Sequence, residues 1–108
     1  MNLPEGLTPH TVQIRDRIGT GPSGELFGNW REVPRCAVED KRKILIDPTG
    51  AQVVASTRIF IRPEFGPLPL HSEIRIRWGT PEQRVVKIEQ VTYYDHAPAP
   101  TYYEVYAV

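Results

Sequence analysis

One hundred and eight residues suffice for one compact domain with a single core. Apolar residues make up 40% and charged residues 24%, with thirteen basic side chains against thirteen acidic ones, so no net field draws the chain to nucleic acid or anionic lipid. No run of 18 apolar residues occurs, so no membrane partner is expected, and the start MNLPEGLTPH lacks the basic and apolar regions of a secretory signal.

The punctuation is dense. Eleven prolines and eight glycines suit short strands and oppose long helices. Residues 1–9 read as a flexible N-terminal arm. From His10 to Arg17, Val12, Ile14 and then Ile18 point one way, with Thr11, Gln13, Arg15 and Arg17 pointing the other. Gly19-Thr20-Gly21-Pro22-Ser23-Gly24 breaks this run and predicts a loop through Asn29. A second strand is expected over Trp30–Val38, where Pro34 removes a ladder donor and signals an edge or a bulge.

Residues 39–50 predict an extended loop. Glu39 and Asp40 precede Lys41, Arg42 and Lys43, then come Ile44, Leu45 and Ile46, and Asp47-Pro48-Thr49-Gly50 is a β-turn signature. Gln52–Arg62 alternates cleanly, with Val53, Ala55, Thr57, Ile59 and Ile61 on one face. Phe65–Leu70 is a proline-rich apolar connector without regular structure. Ser72–Trp78 places Ile74, Ile76 and Trp78 inward against Glu73, Arg75 and Arg77. Gln83–Tyr94 slips its alternation between Val86/Ile88 and Val91/Tyr93, which predicts a bulge. Pro98 and Pro100 then precede a tyrosine-rich final strand, Thr101–Val108. About six short antiparallel strands with long loops predict an all-β fold, a small barrel that hides its edges.

Signals for chemistry are sparse. GTGPSG lacks the Lys-Ser/Thr of a phosphate loop, and no helix follows it. His10, His71 and His96 show no metal-ligand spacing, no GxSxG elbow occurs, and the single cysteine, Cys36, reads as a half-buried strand residue. No enzyme, metal or other cofactor is expected. Ten of the thirteen basic residues are arginine, which favours specific pairing at protein contacts. Arg75, Arg77, Tyr102, Tyr103 and Tyr106 are candidate interface residues, and the same types could stack single-stranded bases on a barrel face. The acidic neighbours of Lys41-Arg42-Lys43 argue against a phosphate site. A charged loop with an uncovered Ile44-Leu45-Ile46 tip suggests contact with another subunit or partner, so Glu39 through Asp47 are the candidate contact residues.

The order WREVPRCAVE (Trp30–Glu39), a polar segment, TGAQVV (Thr49–Val54), IFIRP (Ile59–Pro63) and SEIRIRW (Ser72–Trp78) resembles the head-to-tail stopper, or head-closure, proteins of long-tailed bacteriophages and prophages. The resemblance spans roughly residues 11–108. It implies a non-enzymatic β-barrel that assembles as a ring of its own copies at the head–tail interface of a virion, after assembly in the host cytoplasm. Portal and adaptor rings would lie above it, with tail terminator or tail tube proteins below. Viral double-stranded DNA would occupy the channel without sequence-specific contact. The family's long central loop projects toward that channel, and by strand order the matching segment is Glu39–Gly50. Alternatives are a tail-completion or terminator protein, a monomeric nucleic-acid-binding barrel using Arg75, Arg77 and the tyrosines, and, last, a small hydrolase or metal enzyme.

Overall fold

A computed structural model describes residues 10–77, 79–95 and 101–108. The expected inward position of Trp78, the N-terminal arm at 1–9 and the loop holding His96, Pro98 and Pro100 lie outside the described residues.

The chain is all-β. Six strands form one antiparallel sheet: β1 (His10–Arg15), β4 (Arg31–Ile46), β5 (Gln52–Ile61), β6 (Glu73–Ile76), β7 (Arg84–Tyr94) and β8 (Tyr102–Ala107). Their order is β1-β4-β5-β8-β7-β6, and β6 pairs back onto β1 through Gln13–Arg75, Ile14–Ile74 and Arg15–Glu73. Each of the six strands therefore has two neighbours over part of its length.

Alternation determines which side chains face the core. Val12, Ile14, Val33, Cys36, Ile59, Ile61, Ile74, Ile76, Val86, Ile88, Val105 and Ala107 pack into one buried cluster, as period-two patterning requires. Leu68 of the proline-rich connector joins them, and Phe65, in a 3-10 turn at Pro63–Phe65, packs against the same cluster. Thr57 is wholly buried among the apolar positions of β5, where its hydroxyl accepts a 2.9 Å bond from Arg84 Nη2. That bond offsets the cost of taking the hydroxyl out of water.

Three bulges bend the sheet. Val12 pairs with Val33 and His10 with Cys36, so Pro34 and Arg35 together oppose Thr11, and Arg35 takes φ 56°. The donorless proline thus sits where the ladder is interrupted, as its position in the sequence suggested. In β7, Ile88 faces Ala107 and Gln90 faces Tyr106, leaving Glu89 as the extra residue that slips the alternation. In β4, Asp40 faces Thr57 and Lys43 faces Ala55, leaving Lys41 and Arg42 opposite Ser56.

Three expectations need correction. The segment 19–29 is no simple loop: β2 (Arg17–Gly21) and β3 (Gly24–Phe27) form a separate hairpin. Its start carries Ile18 away from the core, where it is 68% exposed rather than aligned with Val12 and Ile14. The second correction is larger. Residues 39–46 continue β4 as regular strand, paired with β5 to its first residue, so only 47–51 form a turn. Their charges break the hydrophobic alternation without breaking the strand, because pairing with β5 holds the backbone extended. Third, the strands are not uniformly short: β4 has 16 residues, β7 has 11 and β5 has 10.

At the connector, a Cβ added to Gly66 would overlap the outer end of the Tyr103 ring. Gly66→Ala is therefore expected to destabilise the fold by about 1–3 kcal/mol through overpacking. In a double-mutant cycle by denaturant unfolding, adding Tyr103→Ala should make the two costs less than additive.

Candidate functional site

The strand register creates an arm. β1 pairs with β4 only as far as Cys36, and β8 pairs with β5 only from Thr57 onward. Residues 37–46 and 52–56 therefore continue past their neighbours as a two-stranded ribbon, with both outer edges unpaired among these strands. Ribbons with open edges commonly guard them with lysine and bulges, and here the bulge falls at Lys41 and Arg42.

A charge network anchors the root of the arm. Arg77 Nη2 lies 3.0 Å from Asp40 Oδ2, and Arg84 Nη2 lies 3.1 Å from Asp40 Oδ1 and 2.9 Å from Thr57 Oγ1. Hydrogen bonding from Arg77, helped by the charges of Arg77 and Arg84, holds the Asp40 carboxyl below the usual aspartate range. On the other face, Arg58 bridges Glu39 at 3.0 Å and Glu104 at 2.9 Å. The acidic half of the Glu39–Lys43 cluster is thus occupied by arginines of the sheet. Lys43 places its Nζ 4.4 Å from the Tyr106 ring centroid, a cation–π contact. Among the described residues neither Lys41 nor Arg42 has an ion-pair partner.

The two faces of the arm differ. Leu45 and Ala55 form a small buried cluster with Tyr106, whose side of the arm is turned onto the sheet. A groove of about 480 Å3 lies beside this cluster, between Leu45 and Val53 of the arm and Leu70, Gln90 and Val91 of the body. The opposite face carries Ile44, Ile46 and Val54, which are 58%, 65% and 44% exposed. Ile44 pairs directly with Val54, so the two aliphatic side chains share that face. Three large aliphatics on a projecting ribbon are a patch, not scattered single residues.

The turn is fixed by one carboxylate. Asp47 Oδ1 accepts bonds from Thr49 N (2.9 Å), Thr49 Oγ1 (2.7 Å) and Ala51 N (2.9 Å). The Thr49 hydroxyl, then the backbone N–H groups, keep this carboxyl below its ordinary range. A depressed carboxylate contributes order that is complete above its unfolded pKa, roughly 4, and is lost as pH falls through the lowered native value. Acidification below that range should therefore loosen the tip first. Asp47→Ala should do the same at neutral pH. Amide exchange corrected for intrinsic rates is expected to quicken at Thr49 and Ala51 and to stay unchanged at Ile59 and Val105.

The interface candidates do not form one surface. Arg77 belongs to the arm root, and Tyr106 lies beneath the arm at 4% exposure, so it serves internal packing rather than an open contact. Arg75 sits elsewhere, donating to Gln13 Oε1 at 2.6 Å and stacking 4.2 Å over Trp30. Tyr102 lies between Phe60 and Tyr94, with ring centroids 5.3 and 5.0 Å away. Tyr103 packs on Tyr93 at 4.9 Å and against the core. The arginines and tyrosines proposed for base stacking are consequently split between faces.

Sequence reading missed Arg84, Thr57, Val54 and Leu70 as parts of this region. Val54 had a usable signal, since an apolar residue on the polar face of an alternating strand is out of pattern. Cys36 is buried with its pKa pushed up to about 12, chiefly by desolvation, so the thiol stays protonated and unreactive. Among the described residues no three His, Cys, Asp or Glu side chains gather as a metal set. Comparison with protein-family models, with curated proteins and with solved structures found no match to this chain.

Proposed function

We propose that this chain is a structural ring subunit of a bacteriophage virion, of the head-to-tail stopper kind. In this reading the six-stranded sheet is a small antiparallel β-barrel and the β4–β5 ribbon is its working part. The observation that carries the reading is the arm: Ile44, Ile46 and Val54 are exposed on a structured ribbon, next to Lys41 and Arg42, which have no ion-pair partner among the described residues. Aliphatic area of that kind favours cover by another chain.

Several copies would form the ring, meeting portal or adaptor proteins on one side and tail terminator or tail tube proteins on the other. A tail-completion role uses the same features in a neighbouring position. A monomeric single-strand-binding barrel has less support. Its proposed arginines and tyrosines lie on different faces, and Arg58, which does stack on Phe60 at 4.4 Å, is held by two carboxylates.

Antibody labelling of intact virions tests the placement. Label is expected at the head–tail junction. Virions without label, or tight salt-sensitive binding of single-stranded oligonucleotide by the isolated monomer, would overturn the reading.

A further inference from the structure

Beyond the arm, one other exposed patch combines apolar surface with unspent charge. Tyr93 is 50% exposed and packs on Tyr103 at 4.9 Å, and the exposed Pro67 follows the glycine that abuts Tyr103. Two exposed carboxylates lie close to it along the chain, Glu64 three residues before Pro67 and Asp95 two residues after Tyr93. Glu64 has no ion-pair partner among the described residues, and Asp95 accepts one bond from Thr101 Oγ1 at 3.2 Å. The arm presents the complement: Ile44, Ile46 and Val54 with Lys41 and Arg42.

We infer that the arm tip of one copy seats on the Tyr93–Pro67 patch of the next copy, with Lys41 and Arg42 facing Glu64 and Asp95. The inference rests on the ring reading and specifies its contact. Strand direction separates the two patches. The tip adjoins Gln52, the first residue of β5, whereas Tyr103 pairs with Ile61, the last, and Tyr93 pairs with Tyr103. Nine steps of strand span about 30 Å, so a chain cannot reach its own patch and must reach a neighbour's. Two different patches on one chain make a heterologous contact. Repeated, such a contact closes into a ring when its rotation permits.

The aliphatic tip against aromatic and proline surface provides apolar burial, while the charge pairs set orientation and suppress the reversed docking. An arm-to-arm contact would instead bring Lys41 and Arg42 against their own copies. Because the charges are exposed, added salt should weaken the association without abolishing it.

The test uses the full chain with a photo-crosslinking benzoylphenylalanine in place of Ile46, a position exposed enough to accept it. Under illumination, adducts mapped by peptide mass spectrometry are expected within residues 63–67 or 93–95 of a second chain. In parallel, K41E/R42E should weaken self-association by about tenfold or more in sedimentation velocity. Mixing it with E64K/D95K should recover most of the loss. Adducts confined to residues 41–54, or elsewhere on the sheet, in a chain that still forms closed oligomers would overturn this contact and leave the ring standing. A wild-type chain that stays monomeric at every concentration, alone and with its connector partners, and yields no adduct would overturn both.

Discussion

Replacing Ile59 by alanine is expected to lower folding stability by about 2–5 kcal/mol, as for other fully buried aliphatics cut back to Cβ. Ile59 has no exposed surface and lies in the middle strand of three, paired with Val38 on one side and Val105 on the other. Neighbours held in two ladders cannot collapse freely into the space left behind, which favours the upper half of the range. A domain of this size has a total stability of roughly 5–15 kcal/mol, so one substitution removes a large share of it. Urea titrations at constant m-value measure the loss. The control is Ile46→Ala, the same deletion on the exposed face of the arm, expected within about 0.5 kcal/mol of wild type. Equal costs at the two sites would mean that the arm is part of the folding core.

The second large effect concerns assembly. Ile44→Asp with Ile46→Asp leaves every core contact in place, because both side chains point away from Leu45 and Tyr106. Thermal melting should be close to wild type. If the arm seats on another chain, two isoleucines that each gain about 1.5–3 kcal/mol on burial are lost, and two new charges enter the contact. Association should weaken by two orders of magnitude or more. If the chain is the stopper proposed above, phage particles assembled with this variant should contain heads that package DNA and lose it, read as the DNA-filled fraction by electron microscopy. Retention at the wild-type level, with the variant present in the particles, would refute a closing role for the arm.

Much of the sheet could be read from residue order, and particular residues show where the reading stopped. Ile74/Ile76 and Ala55–Ile61 announced their faces because each strand has one wet and one dry side. Pro34 and the slip after Ile88 announced bulges because a missing donor and a phase change are local facts. The arm was not legible as strand. Glu39 through Lys43 carry no alternation, and only pairing with β5 on both sides of the bulge makes them extended. The β2–β3 hairpin was hidden by its glycines, since Gly19 and Gly24 take positive φ (158° and 117°) that sequence alone reports as a break. Tyr106 was misassigned for a similar reason. Its burial comes from Leu45 and Ala55, which reach it only once the arm is placed.

The continuity of β4 also has a mechanical consequence. Its 16 residues run unbroken from the β1 ladder at Arg31 to the tip at Ile46, and β5 returns from the tip straight into the β8 ladder. A load applied to the tip along the ribbon axis passes down two covalent backbones into both seams at once. Those seams are stressed in shear, where their hydrogen bonds resist together, instead of being peeled apart one bond at a time. A sideways load meets something softer, the interrupted ladder at Lys41 and Arg42, braced by Asp40 with Arg77 and Arg84, by Glu39 with Arg58, and by Tyr106 beneath Leu45 and Lys43. The ribbon is therefore stiff along its length and compliant across it, a lever whose pivot lies at the bulge.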